Sequence, residues 1–437
     1  MKSFLLFVCA AVMGLLTITL SAATPPASTS NNRPPNIIFI LADDLGLDCV
    51  SSYGADQLKT PNIDALAAGG TRFEYSYSTP LCGPSRSEIL TGRYPFRTGM
   101  TSNQTGSVMK PENEVMIPKM LKSAGYVTAQ VGKWSQLPLQ PSDWGFDEYL
   151  RFPGSGCYWR EQTPTYMENG RTKDLPEGVY LPNVMHHFLV DFLERHRQEP
   201  FYVHYAMSHV HEPIVRTPDS APGSTTLYAD NVAYMDKLVG ELVAELDRLH
   251  LRESTVIIFS GDNGTARRFA PQGITVHGRP IQGDKGTMYE GGSRVPLIVN
   301  WPGVTPAGAV CHDLTDFSDF FKTISDLTGA PLPEGVTLDG TSFASQIKGD
   351  TRDPRSWIYV ELDGRYYAAT EAWKLNAGGD LFDMRDAPYD QIFVPRDSDN
   401  SQSAYGRGYL TAVLHDLRAG YDRRKASFGL TENEDGE

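Results

Sequence analysis

The run Asn36-Ile-Ile-Phe-Ile-Leu41 is apolar after its first residue and ends just before Asp43-Asp44. With no polar alternation and several β-branched residues, it cannot leave one face to water. It reads as a strand buried on both faces, the kind that parallel sheets use. Similar runs recur. Thr255-Val-Ile-Ile-Phe-Ser260 leads into Gly261-Asp262-Asn263-Gly264, and residues 201–207 lead into His209 and His211. Residues 295–300 form a fourth run, and 127–131, followed by Gly132-Lys133, a fifth. Between them, apolar residues three and four apart predict helices over 63–68, 184–197 and 229–249. The alternation predicts an α/β fold, with a large, mostly parallel sheet sandwiched by helices. Open sheets of this kind place their sites at the carboxyl ends of the strands, where the polar clusters lie here.

After residue 350 the pattern shortens. Runs at 357–361, 365–369, 373–376 and 381–383, separated by turns, predict a small antiparallel sheet, with a helix over 409–418. The expected division is a catalytic α/β domain over 34–350 and a small α+β subdomain over 351–437. Ahead of both, Lys2, an apolar run over 4–20 and Ser21-Ala22-Ala23 read as a secretory signal peptide over 1–23. Residues 24–33 are rich in Ser, Thr, Asn and Pro and read as a linker. Export is expected, to the periplasm or the exterior, with no stable membrane insertion. Cys49, Cys82, Cys157 and Cys311 would remain after cleavage, too few and too scattered for a disulfide framework.

The formal net charge is −14, which argues against a nucleic-acid partner. An acidic chain repels anions at long range, so an anion site must be built from a local cluster of Lys, Arg and helix N-termini. Asp43, Asp44, Asp262 and Asn263 end two of the buried runs. Brought together, they make a hard, oxygen-only group suited to calcium or magnesium. Taken alone, one Asp-Asp pair is equally a helix cap or a solvated turn. Pro84 suits the first turn of a helix, which places Cys82 at its N-terminus and Arg86 one turn on. A cysteine there is either a thiolate nucleophile or an inert packed residue.

Cys82-Gly-Pro-Ser-Arg86, followed by Leu90-Thr-Gly-Arg93, resembles the signature of the formylglycine-dependent (type I) sulfatases of the alkaline-phosphatase-like superfamily. The likeness runs in family order over about residues 34 to 390. It takes in Asn36 to Gly46, Thr60-Pro-Asn-Ile-Asp64, Gly132-Lys133-Trp134, His211-Glu212-Pro213 and Gly261-Asp262-Asn263-Gly264. It continues through Gly283-Asp284-Lys285-Gly286-Thr287, Glu290 to Pro296, Leu381-Phe-Asp383 and Asp386-Ala-Pro388.

The resemblance implies a sulfuric ester hydrolase. A sulfatase-maturing enzyme would oxidise Cys82 to formylglycine, and one hydroxyl of its hydrate would attack sulfur while the second collapses to release sulfate. Asp43, Asp44, Asp262 and Asn263 would hold one calcium ion (Ca2+). Arg86 would orient the hydrate, Lys133 and Lys285 would bind sulfate oxygens, and His211 would protonate the leaving alcohol. His277 and Arg279 would contact substrate. The loop residues Trp159, Arg160, Arg267 and Arg268 suit a sulfated poly- or oligosaccharide. One position departs from the family: a histidine is usual two residues after the motif lysine, and here that residue is Ser135, which is no base near neutral pH. His209 and His277 are the candidates to replace it. Two other readings stay open: a phosphatase or phosphodiesterase of the same superfamily, and a non-catalytic protein that binds sulfated glycans.

Overall fold

The computed structural model describes Met1, residues 33–350 and residues 352–427. Apart from Met1 and Arg33, the expected signal peptide and linker lie outside the described residues. No helix among the described residues is long and apolar enough to cross a membrane.

Ten strands form the large sheet: β1 (Asn36–Ala42), β2 (Thr71–Tyr77), β3 (Val127–Lys133), β4 (Glu148–Phe152), β5 (Thr165–Glu168), β6 (Arg171–Asp174), β7 (Phe201–Ala206), β8 (Thr255–Gly261), β9 (Leu297–Asn300) and β10 (Ala309–Asp316). Their spatial order is β10-β2-β9-β8-β1-β7-β3-β4-β5-β6. The centre, β8-β1-β7-β3-β4, is parallel throughout. β9 is an exception to the expected pattern: it runs antiparallel to both β8 and β2. Burial on both faces makes a strand apolar whichever way it points, so composition did not reveal its direction.

β1 sits between two cores. Ile38, Ile40 and Ala42 pack on one face with Ile63 and Leu66 of the helix Pro61–Ala68 and with the helices Leu181–Arg195 and Leu227–Arg248. Ile37, Phe39 and Leu41 pack on the other with Ile89 and Leu90 of the helix Cys82–Thr91 and Phe320, Phe321 and Ile324 of the helix Asp319–Thr328. Each large β1 side chain contributes roughly 1.5–3 kcal/mol by leaving water, before the entropy of ordering it is subtracted. The period of two thus assigns alternate residues to opposite layers and fixes the register of β1 against β7 and β8.

The second sheet is antiparallel and in sequence order: β11 (Ile358–Leu362), β12 (Arg365–Ala369), β13 (Trp373–Asn376), β14 (Leu381–Asp383) and β15 (Ile392–Val394). The edge strand β15 went unread because it has only three residues and exposes Ile392 and Phe393. The last helix, Ser401–Ser427, starts earlier and runs longer than expected. Asn400 Oδ1 caps it by accepting the Gln402 and Ser403 N–H groups at 2.9 and 3.1 Å. Gly406 lies flush on Trp373, where a Cβ would fall 2.6 Å from the indole, so a residue that looks like a helix breaker is a packing requirement.

Gly132 fixes where β3 delivers Lys133. Its φ is +107°, and a Cβ there would lie 2.0 Å from the Ala206 carbonyl oxygen of β7. Replacing Gly132 with Ala is expected to destabilise the protein by about 3 kcal/mol. Urea unfolding of the two proteins measures this, and an unchanged midpoint would show that β3 and β7 can separate at this point without penalty.

Candidate active site

The neighbouring parallel strands β8, β1, β7 and β3 deliver their carboxyl ends to one place. Asp43 and Asp44 follow β1, Asp262 and Asn263 follow β8, Lys133 is the last residue of β3, and His211 lies in the loop after β7. The loop is laced to β1: Asp43 N–H donates to His209 O at 2.7 Å, and Val210 N–H donates to Asp43 O at 2.6 Å. Asp44 turns back in the left-handed region, with φ +61°. Its N–H donates to Asp262 Oδ1 at 3.0 Å, and Asn263 Nδ2 donates to Asp44 Oδ1 at 2.9 Å.

Cys82 is the first residue of the helix Cys82–Thr91 and is fully buried. Its Sγ lies 3.5 Å from Asp43 Oδ1 and 3.7 Å from Asp44 Oδ1. One turn along, Arg86 donates from Nε and Nη2 to Asp262 Oδ2 at 3.0 and 2.7 Å. Lys133 Nζ donates to both Asp43 oxygens at 2.7 and 2.6 Å. Lys285 Nζ lies 2.6 and 2.7 Å from the two Asp44 oxygens. His211 Nε2 stands 3.9 Å from Asp44 Oδ2. Its Nδ1 is 2.7 Å from Glu212 O, a carbonyl that can only accept, so Nδ1 carries a proton and Nε2 is the nitrogen turned to the site.

Three carboxylates therefore face three cations, all but Lys285 almost wholly buried. Burial opposes the charge on Lys133 and Lys285, yet Asp43 keeps Lys133 above its usual range. Asp44 and Asp43 do the same for Lys285. Asp262 is held well below the usual carboxylate range, because Arg86 and Lys133 outweigh its desolvation. Burial raises Asp43, with Lys133 opposing. Burial also pushes the Cys82 thiol well up, and Asp262, Asp43 and Asp44 add to that against Lys133. As a plain cysteine, this residue is no thiolate.

The donor set fits a hard cation. Asn263 Oδ1 is buried without a hydrogen-bond partner among the described residues. It is an acceptor that a metal ion can satisfy. Ligand atoms of Asp43, Asp44, Cys82 and His211 all lie within 4.8 Å of one another.

Other expected residues fall elsewhere. His209 is buried among Tyr158, Tyr180 and Tyr234, with Nε2 2.9 Å from Tyr180 Oη, and burial lowers it to about 3. That placement corrects its candidacy as the replacement base. His277 is exposed and packs over Gly54, where a Cβ would lie 2.3 Å from the ring. Arg279 donates to both Asp386 oxygens at 2.8 and 2.6 Å and lies over the Tyr389 ring, so its charge is already matched. Arg267 pairs with Asp48 and Arg268 with Glu212. Arg160 donates to Leu175 O, and Trp159 Nε1 to Arg216 O. Ser135 Oγ lies 3.0 Å from Ser155 Oγ and 3.1 Å from Gln136 Oε1, a neutral cluster in place of the family's histidine.

Sequence reasoning missed two supporting residues. Asn103 Oδ1 accepts the Gly83 N–H at 2.9 Å and anchors the start of the Cys82 helix. Thr265 O accepts the Lys285 N–H at 3.1 Å, while its Oγ1 accepts the Gly46 N–H at 3.0 Å, tying the lysine loop to the end of β1. Neither carries a linear signal, since each contact is made across loops distant in sequence.

The sulfatase family model matches residues 35–330. N-acetylgalactosamine-6-sulfatase of Canis lupus familiaris is 33% identical over 408 residues, covering 84% of this chain and 77% of that protein. Arylsulfatase A of Homo sapiens is 33% identical over 369 residues, covering 75% and 70%. The solved structure of Ps i-CgsB in complex with k-i-k-neocarrahexaose superimposes with a TM-score of 0.76 at 28% identity, over 89% of this chain and 92% of that one.

A thiol with a raised pKa stays protonated until the pH passes the raised value. In chelator-treated protein with Cys82 unmodified, iodoacetamide at mildly alkaline pH is therefore expected to leave Cys82 unlabelled, whereas urea-unfolded protein reacts fully. Peptide masses read the difference. Rapid labelling of the folded protein would show an accessible thiolate instead.

Proposed function

The chain belongs to the sulfatase family and is a sulfatase, and we propose that it releases sulfate from a sulfated poly- or oligosaccharide, using formylglycine made from Cys82 and one calcium ion. The observation that carries this reading is the buried Cys82 side chain at the N-terminus of its helix, within 3.7 Å of both Asp43 and Asp44, whose charges Lys133 and Lys285 match. A thiol held neutral is a poor nucleophile exactly where a nucleophile is needed, and oxidation of its carbon removes that obstacle. The substrate class follows the relatives: one is named N-acetylgalactosamine-6-sulfatase, and another was solved in complex with k-i-k-neocarrahexaose.

As its hydrate, formylglycine at position 82 would supply a hydroxyl that bonds to sulfur as the bond from sulfur to the alcohol breaks, a second hydroxyl on the same carbon being what a serine there would lack. Asp43, Asp44, Asp262 and Asn263 would hold calcium, which would supply positive charge to offset the sulfate and to ease loss of a hydroxyl proton. This chain's residues do the rest. Arg86 holds Asp262 ionised and in place through two hydrogen bonds. Its Nη1 is buried and has no hydrogen-bond partner among the described residues, a donor free for an oxygen atom of the reacting group. Lys133 and Lys285 present ammonium groups to the sulfate oxygens, where charge accumulates as the ester bond breaks. His211, its ring held through Nδ1 by the Glu212 carbonyl, turns Nε2 to the site, where it would take up the proton of the attacking hydroxyl and hand it to the departing alcohol. Since three carboxylates balance three cations, a bound dication leaves the site net positive. That lets a chain of charge −14 attract an anionic ester. The proposal includes export and maturation of Cys82 by a sulfatase-maturing enzyme.

Protein made with a maturing enzyme is expected to carry an aldehyde in place of the thiol in the peptide ending at Arg86, and to lose aryl sulfate turnover on chelation and regain it with calcium. A plain thiol in fully active protein would refute the nucleophile. Turnover indifferent to chelation would refute the metal.

Replacing His211 with Ala is expected to lower kcat on a sulfated sugar by about a hundred- to a thousandfold. The loss on para-nitrophenyl sulfate should be much smaller, because a phenolate leaves without a proton. Equal losses on both esters would assign His211 to binding instead.

A further inference from the structure

A cavity of about 520 Å³ opens between the loop that carries Lys285 and the second sheet. Residues 286–289 form one wall, and β12, β13 and β14 form the other. Its size lies within the range of small-ligand sites. The cavity begins beside the reacting centre: Gly286 directly follows Lys285, and its N–H donates to Pro80 O at 2.9 Å, two residues before Cys82.

The lining is unlike the rest of this acidic chain. Two cations, Arg365 and Lys374, face the cavity and no carboxylate does. Lys374 is only 2% exposed. It donates to Met288 O and, at 2.9 Å, to Gln391 Oε1, and its ammonium lies 4.0 Å from the centre of the Tyr367 ring. None of these partners carries a charge. Burial therefore lowers its pKa to about 8, with Glu290 opposing. Lys374 has no ion pair among the described residues, only the more distant charge of Glu290, and an arriving anion relieves the cost of its burial. At the mouth, Arg365 is exposed and has no ion pair among the described residues. Its planar fork matches the oxygens of a sulfate or carboxylate. Tyr289, Tyr366 and Phe382 add aromatic faces on which the apolar face of a sugar ring can lie.

We propose that this cavity is a second subsite, which binds another anionic group (a sulfate or a carboxylate) on the same sugar chain whose ester is cleaved at Cys82, with Arg365 as the selecting residue. The proposal rests on the sulfated-glycan reading above and sharpens it: the preferred substrate carries at least two negative groups.

The test separates the two claims by reading binding without turnover. Protein with Cys82→Ala is titrated calorimetrically with a disulfated disaccharide and with its monosulfated counterpart. The disulfated sugar is expected to bind at least about tenfold more tightly. That gain should vanish in Cys82→Ala/Arg365→Gln and return in part with Arg365→Lys, since the exposed Arg365 can change without unfolding the sheet. Equal affinities for the two sugars, or a gain that survives Arg365→Gln, would overturn the subsite. In parallel, the matured wild-type enzyme is assayed on both sugars. Failure to hydrolyse either, with the affinity gain intact, would count against the catalytic reading alone.

Discussion

The site depends on one balance: Asp43, Asp44 and Asp262 stay charged out of water only because Lys133 and Arg86 are buried with them and the half-buried Lys285 closes the group. A lone carboxylate at the centre of this sheet would take up a proton rather than remain charged. Removing one partner from a buried pair typically costs about 3–5 kcal/mol, because the other charge is left uncompensated. The balance in turn requires the strand order. β1 must lie beside β8 for Asp44 to meet Asp262, and β7 must separate β1 from β3 by one strand for Lys133 to reach Asp43. The sheet's topology and the site's electrostatics thus constrain each other.

The second sheet is fastened to the first through another buried charge group. Arg355, just ahead of β11, pairs with Asp316 at the end of β10 and with Asp319 at the start of the next helix. Glu361 of β11 accepts the Phe96 N–H at 3.0 Å, just beyond the Cys82 helix. Both sheets therefore brace the segment that follows Cys82. A cavity shared by the Lys285 loop and the second sheet can keep its shape because its walls belong to braced elements.

Much of this was legible in the sequence, for identifiable reasons. Doubly buried strands declare themselves through unbroken apolar runs, so β1, β3, β7 and β8 could be read with their polar ends. The residues on those ends, Asp43, Asp44, Lys133, Asp262 and Asn263, converge because a strand end has little freedom over where it points. Loop residues do not share that restriction. Arg279 sits near the right segment but is matched by Asp386, a residue of the second sheet's region that no local pattern links to it. His209, only two residues from His211, points into a cage of tyrosines, since a turn of the backbone decides which of two nearby histidines faces the strand ends. β9 kept its direction hidden, and β15 was too short and too exposed to announce itself.

The enclosure of Cys82 also sets an order of events in time. Its side chain is closed in by Asp43, Asp44 and the helix it begins, and that helix is locked by Arg86 to Asp262, 176 residues further along the chain. Until β8 has been made and docked, that lock does not exist and Cys82 is open; afterwards no large catalyst can reach it. An enzyme that oxidised Cys82 would thus work against a clock set by translation and folding, and the 176 residues from Arg86 to Asp262 would be the length of its window.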